Sequence, residues 1–110
     1  MQAEKIKNLD DQIERLRQEL AALGPMRPGT LSRQYRDPEN RRGGYYQLSY
    51  TYRMKSRTEY VRPAEAAGVR AEIATFKRFK RLTARWVDLA LKRSHLWRKQ
   101  ARSTPSGSES

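Results

Sequence analysis

A chain of 110 residues with 24 Lys and Arg, 12 Asp and Glu and no Cys carries a net charge of +12 and has room for one modest core. A chain of this size leaves little surface for a deep pocket, and without Cys it forms neither a disulfide nor a thiolate metal site. Its hydrophobic fraction of only 36% indicates that part of the apolar surface is covered by a partner. No apolar run is long enough for a membrane span or a signal peptide, so we expect no membrane partner and a cytoplasmic location.

The positive charge is distributed unevenly along the chain. Residues 1–24 contain four Lys and Arg against five Asp and Glu, whereas residues 25–63 contain nine against three and residues 64–103 contain eleven against three. Excess charge of one sign on part of a small protein raises the local counter-ion concentration. This distribution therefore favours a polyanionic partner for the middle and C-terminal segments.

The N-terminal segment, residues 1–24, has an unbroken heptad pattern that predicts a helix with one apolar seam. The seam consists of Ile6, Leu9, Ile13, Leu16, Leu20 and Leu23. Gly24-Pro25 is expected to end this helix. Because a lone helix of this length is marginal in water, the seam needs a partner. That partner is the same helix of a second subunit, which would make the protein a homo-oligomer, or the C-terminal helix of the same chain. An ordinary amphipathic helix on a core is the simpler alternative.

The middle of the chain predicts an Arg-rich loop followed by a two-stranded β-hairpin. Residues 25–44 are dense in turn-forming residues, which is typical of irregular chain. From Tyr45 the side chains alternate, and this pattern predicts a half-buried strand with one aromatic face and one polar face. The predicted buried face contains Tyr46, Leu48, Tyr50, Tyr52 and Met54. A turn around Lys55-Ser56 is expected to lead into a second strand, residues 57–61. Two strands alone are marginal, so we expect them to lie on a helix or to pair across a dimer axis.

A long helix is predicted from Pro63 to about residue 100. At about 100° per residue, its apolar side chains occupy one wide face and five cations fall within an arc of roughly 80° on the other side. This basic ridge consists of Arg70, Lys77, Arg81, Arg85 and Lys92. Residues 103–110 are expected to form a flexible tail. The fold class is therefore α+β, and we expect residues 25–102 and the N-terminal helix to form one compact domain.

The sequence offers little for catalysis or metal binding. His95 is the only histidine, and no Ser or carboxylate pattern around it indicates a catalytic triad. Asp10 and Asp11 are neighbours on a helix, where their side chains diverge. Asp37 and Glu39 lie in a turn among arginines, which is unfavourable for Mg²⁺. We therefore predict a protein that is not an enzyme and has no catalytic residues, no cofactor and no metal.

The basic and aromatic residues of this chain favour nucleic acid as the partner. Five of the six tyrosines lie between residues 45 and 60, among arginines. Aromatic side chains beside basic ones hold single strands by stacking, and the polar face of a two-stranded ribbon also suits a major groove. We predict a nucleic-acid-binding protein, with DNA favoured over RNA. The predicted contacts are Arg33, Arg36, Arg41, Arg42, Arg53, Tyr35 and Tyr45, together with Arg70, Lys77, Arg81, Arg85 and Lys92 on the ridge.

Three stretches resemble a family of short uncharacterised proteins of bacteria, archaea and their mobile elements. They are residues 27–36 (Arg-Pro-Gly-Thr-Leu-Ser-Arg-Gln-Tyr-Arg), residues 44–50 (Gly-Tyr-Tyr-Gln-Leu-Ser-Tyr) and residues 58–63 (Thr-Glu-Tyr-Val-Arg-Pro) with the helix that follows. Members of this family have a Pro-Gly-Ser-Leu motif, a basic Tyr segment, a Cys-rich knuckle, a Pro-Tyr-Tyr-Tyr-Leu-Ser-Tyr strand, a hairpin and a long helix. The resemblance covers residues 27–100 and implies this architecture, with an accessory role in a mobile-element, recombination or phage complex. Residues 37–43 stand where relatives have cysteines, so a metal carried by the family would have no ligands here.

Two other functions are compatible with the same composition. The chain could be a structural subunit of a large ribonucleoprotein, or a helical protein-binding adaptor or inhibitor that uses its heptad seam and exposed aromatic residues. Salt separates the classes, because nucleic-acid binding weakens steeply with salt and a contact made by an apolar seam does not.

Overall fold

The computed structural model describes residues 2–103, and in this part of the chain two helices flank three consecutive strands in sequence. The elements are α1 (Gln2–Ala21), β1 (Thr30–Asp37), β2 (Arg42–Tyr52), β3 (Lys55–Val61) and α2 (Pro63–Ser103). The strands form an antiparallel sheet in the order β1-β2-β3. The predicted α+β class is confirmed, with three strands in place of two. Except for Ser103, the tail predicted over residues 103–110 lies outside the described residues.

The chain divides into two compact units. The sheet unit, Leu23–Phe79, contains the three strands and the N-terminal part of α2, and the helical unit contains α1 and the chain from Lys80 onwards. The expectation of one compact domain stays a prediction.

Strand β1 is the main correction to the sequence prediction. Residues 25–44 are not irregular throughout, because Thr30–Asp37 pairs with β2 in a register that runs from Thr30↔Ser49 to Asp37↔Arg42. Leu31 of β1 packs against the core. The next inward position is Arg33, whose guanidinium lies 5.6 Å from the centre of the Tyr46 ring. The alternating pattern of a half-buried strand requires an apolar residue at this position, and Arg33 fills it by stacking on an aromatic ring. The alternation of apolar and polar residues therefore does not predict β1.

The core of the sheet unit lies between one face of the sheet and the N-terminal part of α2. Buried Leu48, Val61 and Ile73 form its centre, and the partly buried side chains packed against them are Leu31, Tyr46, Tyr50 and Val69. We call this side of the sheet the inner face. Tyr46, Leu48 and Tyr50 confirm the predicted buried face of β2. Tyr52 and Met54 do not belong to it, because they lie at the β2–β3 turn and are exposed, Met54 by 96%.

The start of α2 is fixed by a reciprocal cap. The amide of Arg62 donates a hydrogen bond of 3.1 Å to Oε1 of Glu65, and the amide of Glu65 donates one of 2.9 Å to the carbonyl of Arg62. The bond to the Glu65 side chain is one half of a capping box, and the carbonyl of Arg62 takes the place of the Ser or Thr side chain in the other half. Pro63 stands at the first helical position, where its missing amide hydrogen costs nothing. The predicted helix start is confirmed.

Gly29, just before β1, lies in direct contact with the core. Its φ is +140°, and a Cβ at this position would lie 2.7 Å from Cδ1 of Leu48 and 3.2 Å from the carbonyl oxygen of Ser49. Both the backbone conformation and the close approach therefore require glycine.

Gly29→Ala is expected to destabilise the sheet unit by about 1–3 kcal/mol, because the new methyl group strains the backbone and overpacks Leu48. Urea unfolding measures the effect. Gly24→Ala is the matched control, since a Cβ there meets no atom within 4 Å. Equal unfolding midpoints for the two variants would show that Leu48 moves aside without cost and would refute the expectation.

In the helical unit, the seam of α1 faces α2 of the same chain. Leu16 and Leu89 are buried and line the same cleft between the two helices. Arg93 donates hydrogen bonds from Nε and Nη2 to the carboxylate of Asp10, although this exposed pair contributes little to stability. One of the two seam partners that the sequence allows is therefore present within the chain, and self-association through the seam stays a prediction. Neither described helix combines the length and the apolar character needed to cross a bilayer.

Candidate nucleic-acid interface

The side of the sheet opposite Leu48, here called the outer face, is polar, and Arg36 near the end of β1 is its one charged strand residue. Since side chains alternate along a strand and directly paired residues share a face, the register defines its members. Its uncharged side chains are Thr30, Ser32 and Gln34 of β1, Tyr45, Gln47, Ser49 and Thr51 of β2, and Ser56, Thr58 and Tyr60 of β3. This combination of hydroxyl, amide and phenol groups is suited to hydrogen bonding and stacking with an uncharged polar partner group such as a base.

Two tyrosines form an aromatic platform on the outer face. The ring centres of Tyr45 and Tyr60 lie 6.1 Å apart with a tilt of 38° between the rings. Tyr60 is 60% exposed, so its ring is not used to fill the core. Gln47 pairs with Tyr60 and Gln34 pairs with Tyr45, so two side-chain amides lie beside the rings. The platform therefore joins stacking surfaces with groups that bond to base edges.

Arginines border the outer face at the end where the tyrosines lie. Arg36 has the same strand parity as Gln34, Arg41 lies in the turn four residues before Tyr45, and Arg62 follows β3 with the parity of Tyr60. These three residues are called the arginine margin, and all three are exposed in the free protein. Arg42 pairs with Asp37 and has the parity of Leu48, so the register places it on the inner side. The position of the arginine margin beside the platform is suited to phosphates attached to stacked bases.

The Arg-rich loop that the sequence predicts is a short turn. Asn40 donates hydrogen bonds to the Asp37 carboxylate from its backbone amide, at 3.4 Å, and from its side-chain amide, at 2.9 Å. Arg41 has a φ of 53° and Gly43 one of 66°, and a Cβ on Gly43 would lie 3.1 Å from Cβ of Arg36. Arg36 and Arg42 thus belong to strands, and the turn is closed by hydrogen bonds within the chain.

Three further predicted contact residues lie on the inner side of the sheet. Arg33 and Arg70 approach the ring of Tyr46 at 5.6 and 5.1 Å, and Arg33 also lies 5.5 Å from the ring of Tyr35. The hydrogen bond from Arg70 lowers the pKa of Tyr46, and the charges of both arginines act in the same direction. On the same face, Tyr50 donates a hydrogen bond of 2.7 Å to Glu59, which raises the pKa of Tyr50. Arg33, Arg70 and Tyr35 are therefore engaged in contacts within the protein.

The residues of the predicted ridge are divided between the two units. Arg70 and Lys77 line a recess of about 340 Å³ beside β1 in the sheet unit. In the helical unit, Arg85 and Lys92 line clefts between α2 and α1, and Arg81 is exposed. The cations predicted as one ridge therefore have different local environments.

Arg53 lies at the other end of the sheet from the tyrosine platform. It forms the β2–β3 turn with Met54, two residues before the position expected from the sequence. Both residues have positive φ, 51° and 66°, as the type I′ turn of a two-residue hairpin requires. The guanidinium of Arg53 lies 5.2 Å from the centre of the Tyr52 ring.

Tyr60 is a candidate contact residue that the sequence does not identify. The pattern of β3 identifies it as bulky, but its pairing with Tyr45 depends on the hairpin register. Chain comparisons add nothing to this assignment, because no family model, curated protein or solved structure matches the chain. The resemblance to the mobile-element family stays a prediction, and the interface rests on the chemistry of its residues.

Proposed function

We propose that this protein binds single-stranded nucleic acid on the outer face of its sheet. The single observation that carries the proposal is the Tyr45–Tyr60 pair, which stands on a polar face beside the arginine margin. Bases stack on the two rings, and the arginines hold the phosphates on either side of them. Each stacked base contributes about 1–3 kcal/mol to such binding.

The polar neighbours of the platform support base contacts of moderate selectivity. The amides of Gln34 and Gln47 each offer donors and an acceptor to base edges. Gln34 already donates a hydrogen bond of 3.1 Å to Ser32, so part of this network is oriented in the free protein. Stacking accepts every base, and the amides then favour some bases over others.

The third strand favours a single strand over a duplex as the partner. A two-stranded ribbon fits the major groove, which is about 12 Å wide. Three strands at a spacing of about 4.8 Å, with their side chains, present a broader surface. Bases inside a duplex also keep their faces covered by their neighbours and do not reach the tyrosines. DNA and RNA single strands both present suitable groups. The affinities of a DNA and an RNA oligonucleotide of the same sequence test the expected preference for DNA.

Fluorescence anisotropy across a salt series tests the proposal. The labelled probes are a single-stranded DNA, the RNA of the same sequence and the corresponding duplex. We expect the single strands to bind more tightly than the duplex. Arg36→Ala with Arg41→Ala is expected to weaken binding of all single strands and to reduce the salt slope by about 1.4, since each single-strand phosphate contact contributes about 0.7.

The comparison variant is Arg81→Ala with Arg85→Ala, which removes the same charge from α2. If this variant reduces the slope and the variant of the arginine margin does not, the interface lies on the helix and the proposal is wrong. Equal binding of the duplex and the single strands would contradict the stacking mechanism.

A protein-binding role is the second candidate, and one observation favours it. Val87 and Leu91, one helical turn apart on α2, are 57% and 59% exposed. Apolar side chains that share an exposed helix face are typical of a contact with another protein. This role uses the helical unit and is compatible with nucleic-acid binding by the sheet unit.

A further inference from the structure

The helical unit contains a strongly basic cleft between α1 and the C-terminal part of α2. Its volume is about 700 Å³, and none of the nine residues that line it is acidic. Leu9 and Leu96 provide its apolar lining. Its cations are Lys5 from α1 and Lys92, Lys99 and Arg102 from α2. The leucines therefore lie between three cations of α2 and one cation of α1.

Both helices present the same spacing of residues to the basic cleft. Four lining positions of α1 and four of α2 follow the order i, i+3, i+4, i+7, with a leucine at the i+4 position of each. They are Lys5, Asn8, Leu9 and Gln12 on α1, and Lys92, His95, Leu96 and Lys99 on α2. This is the spacing with which one helix face meets another helix.

The helical unit buries few apolar residues by itself. Among its described residues, only Leu16 and Leu89 are buried hydrophobic side chains. Leu9 and Leu96 remain partly exposed at the cleft. Two antiparallel helices leave a groove along their contact, and a third helix laid into that groove removes these leucines from water, as in a three-helix bundle.

We propose that the basic cleft binds an acidic amphipathic helix of a partner protein. Leucine-type side chains of the partner pack on Leu9 and Leu96, and its carboxylates pair with Lys5, Lys92, Lys99 and Arg102. This occupant follows from charge complementarity, because four cations and no carboxylate line the cleft. A second copy of this chain fits less well, since its C-terminal helix is strongly basic and the charges of its residues 1–24 nearly balance. Nucleic acid satisfies the cations but leaves the leucines without an apolar partner, so the acidic helix fits the composition of the cleft better.

A synthetic peptide of about 18 residues, with leucines at helical spacing and glutamates beside them, is the probe for the full-length protein. A second peptide with lysines in place of the glutamates is its control. We expect the acidic peptide to bind and the basic peptide not to bind. Lys92→Glu with Lys99→Glu is expected to weaken binding of the acidic peptide by about tenfold or more, because it replaces attraction by repulsion at two positions.

The matched control variant is Lys7→Glu with Arg98→Glu, which makes the same change in net charge on the same two helices outside the lining of the cleft. Circular dichroism establishes that both variants keep their helices. Equal affinity of the two variants for the acidic peptide would overturn the proposal. Failure of the wild-type protein to bind this peptide would also overturn the proposal. The same holds if Lys92→Glu with Lys99→Glu loses oligonucleotide binding and keeps its affinity for the peptide. The proposed nucleic-acid interface lies on the sheet, so an oligonucleotide experiment that refutes it would leave the peptide result unaffected.

Discussion

Tyr45→Ala with Tyr60→Ala is expected to weaken the binding of single-stranded nucleic acid by at least about 2 kcal/mol, which is about 30-fold, because two stacking surfaces are lost. Tyr45→Phe with Tyr60→Phe keeps both rings and is expected to retain most of the affinity. Anisotropy titration at one fixed salt concentration measures the three proteins. The expected change is similar for all base sequences, since stacking is tolerant of sequence.

Tyr52→Ala is the matched control for this experiment. Tyr52 is 56% exposed, close to the 60% of Tyr60, but it lies at the β2–β3 turn and not on the platform. Its replacement is expected to change affinity little. An equal loss in Tyr52→Ala and in the platform variant would show that the tyrosines act through general properties of the sheet and would exclude the platform as the binding site.

Leu16→Asp is expected to detach α1 from α2 and to unfold it. Leu16 is buried beside Leu89, and an unpaired carboxylate in an apolar contact costs about 3 kcal/mol or more. Helical circular dichroism should decrease, and amide hydrogen exchange should become fast in α1 while amides of β2 remain protected. Gln18→Asp adds the same charge on an exposed position of α1 and is expected to preserve the helix. Unchanged protection of α1 in Leu16→Asp would show that the seam is not needed for its stability.

Sedimentation of the wild-type protein and of Leu16→Asp then decides between the two uses of the seam. A wild-type monomer with full helicity means that α2 of the same chain satisfies the seam. A wild-type dimer that dissociates in Leu16→Asp means that the seam is shared between subunits.

Periodicity predicts the helices and the central strand, and it fails where side chains depart from apolar packing. α2 begins at Pro63 as predicted, whereas α1 ends at Ala21, before Gly24-Pro25, so that Leu23 of the predicted seam lies outside the helix. β1 is missed because Arg33 occupies an inward position by stacking on Tyr46. The β2–β3 turn is misplaced because Arg53 and Met54 adopt left-handed conformations that usually mark Gly or Asn.

The candidate site is predicted only in part, for a similar reason. The sequence alone predicts Tyr45 and the Arg-rich segment as candidate contact residues. It does not place Tyr60 beside Tyr45, because that contact depends on a register set by the turn. Nor does it separate Arg36, on the margin of the outer face, from Arg33, which stacks on the inner face. Residue type gives the chemistry of a site, whereas strand parity and pairing decide which groups meet.

The division of the chain between the two units has a consequence for protein synthesis. The helical unit joins α1 to a part of α2 that follows the entire sheet unit in sequence. The ribosome therefore releases α1 before its partner residues exist, with an interval on the order of seconds at normal elongation rates. The β-meander needs only short turns and can form during this time. We expect the seam of α1 to remain open to chaperones in the nascent chain until residues 80–103 emerge.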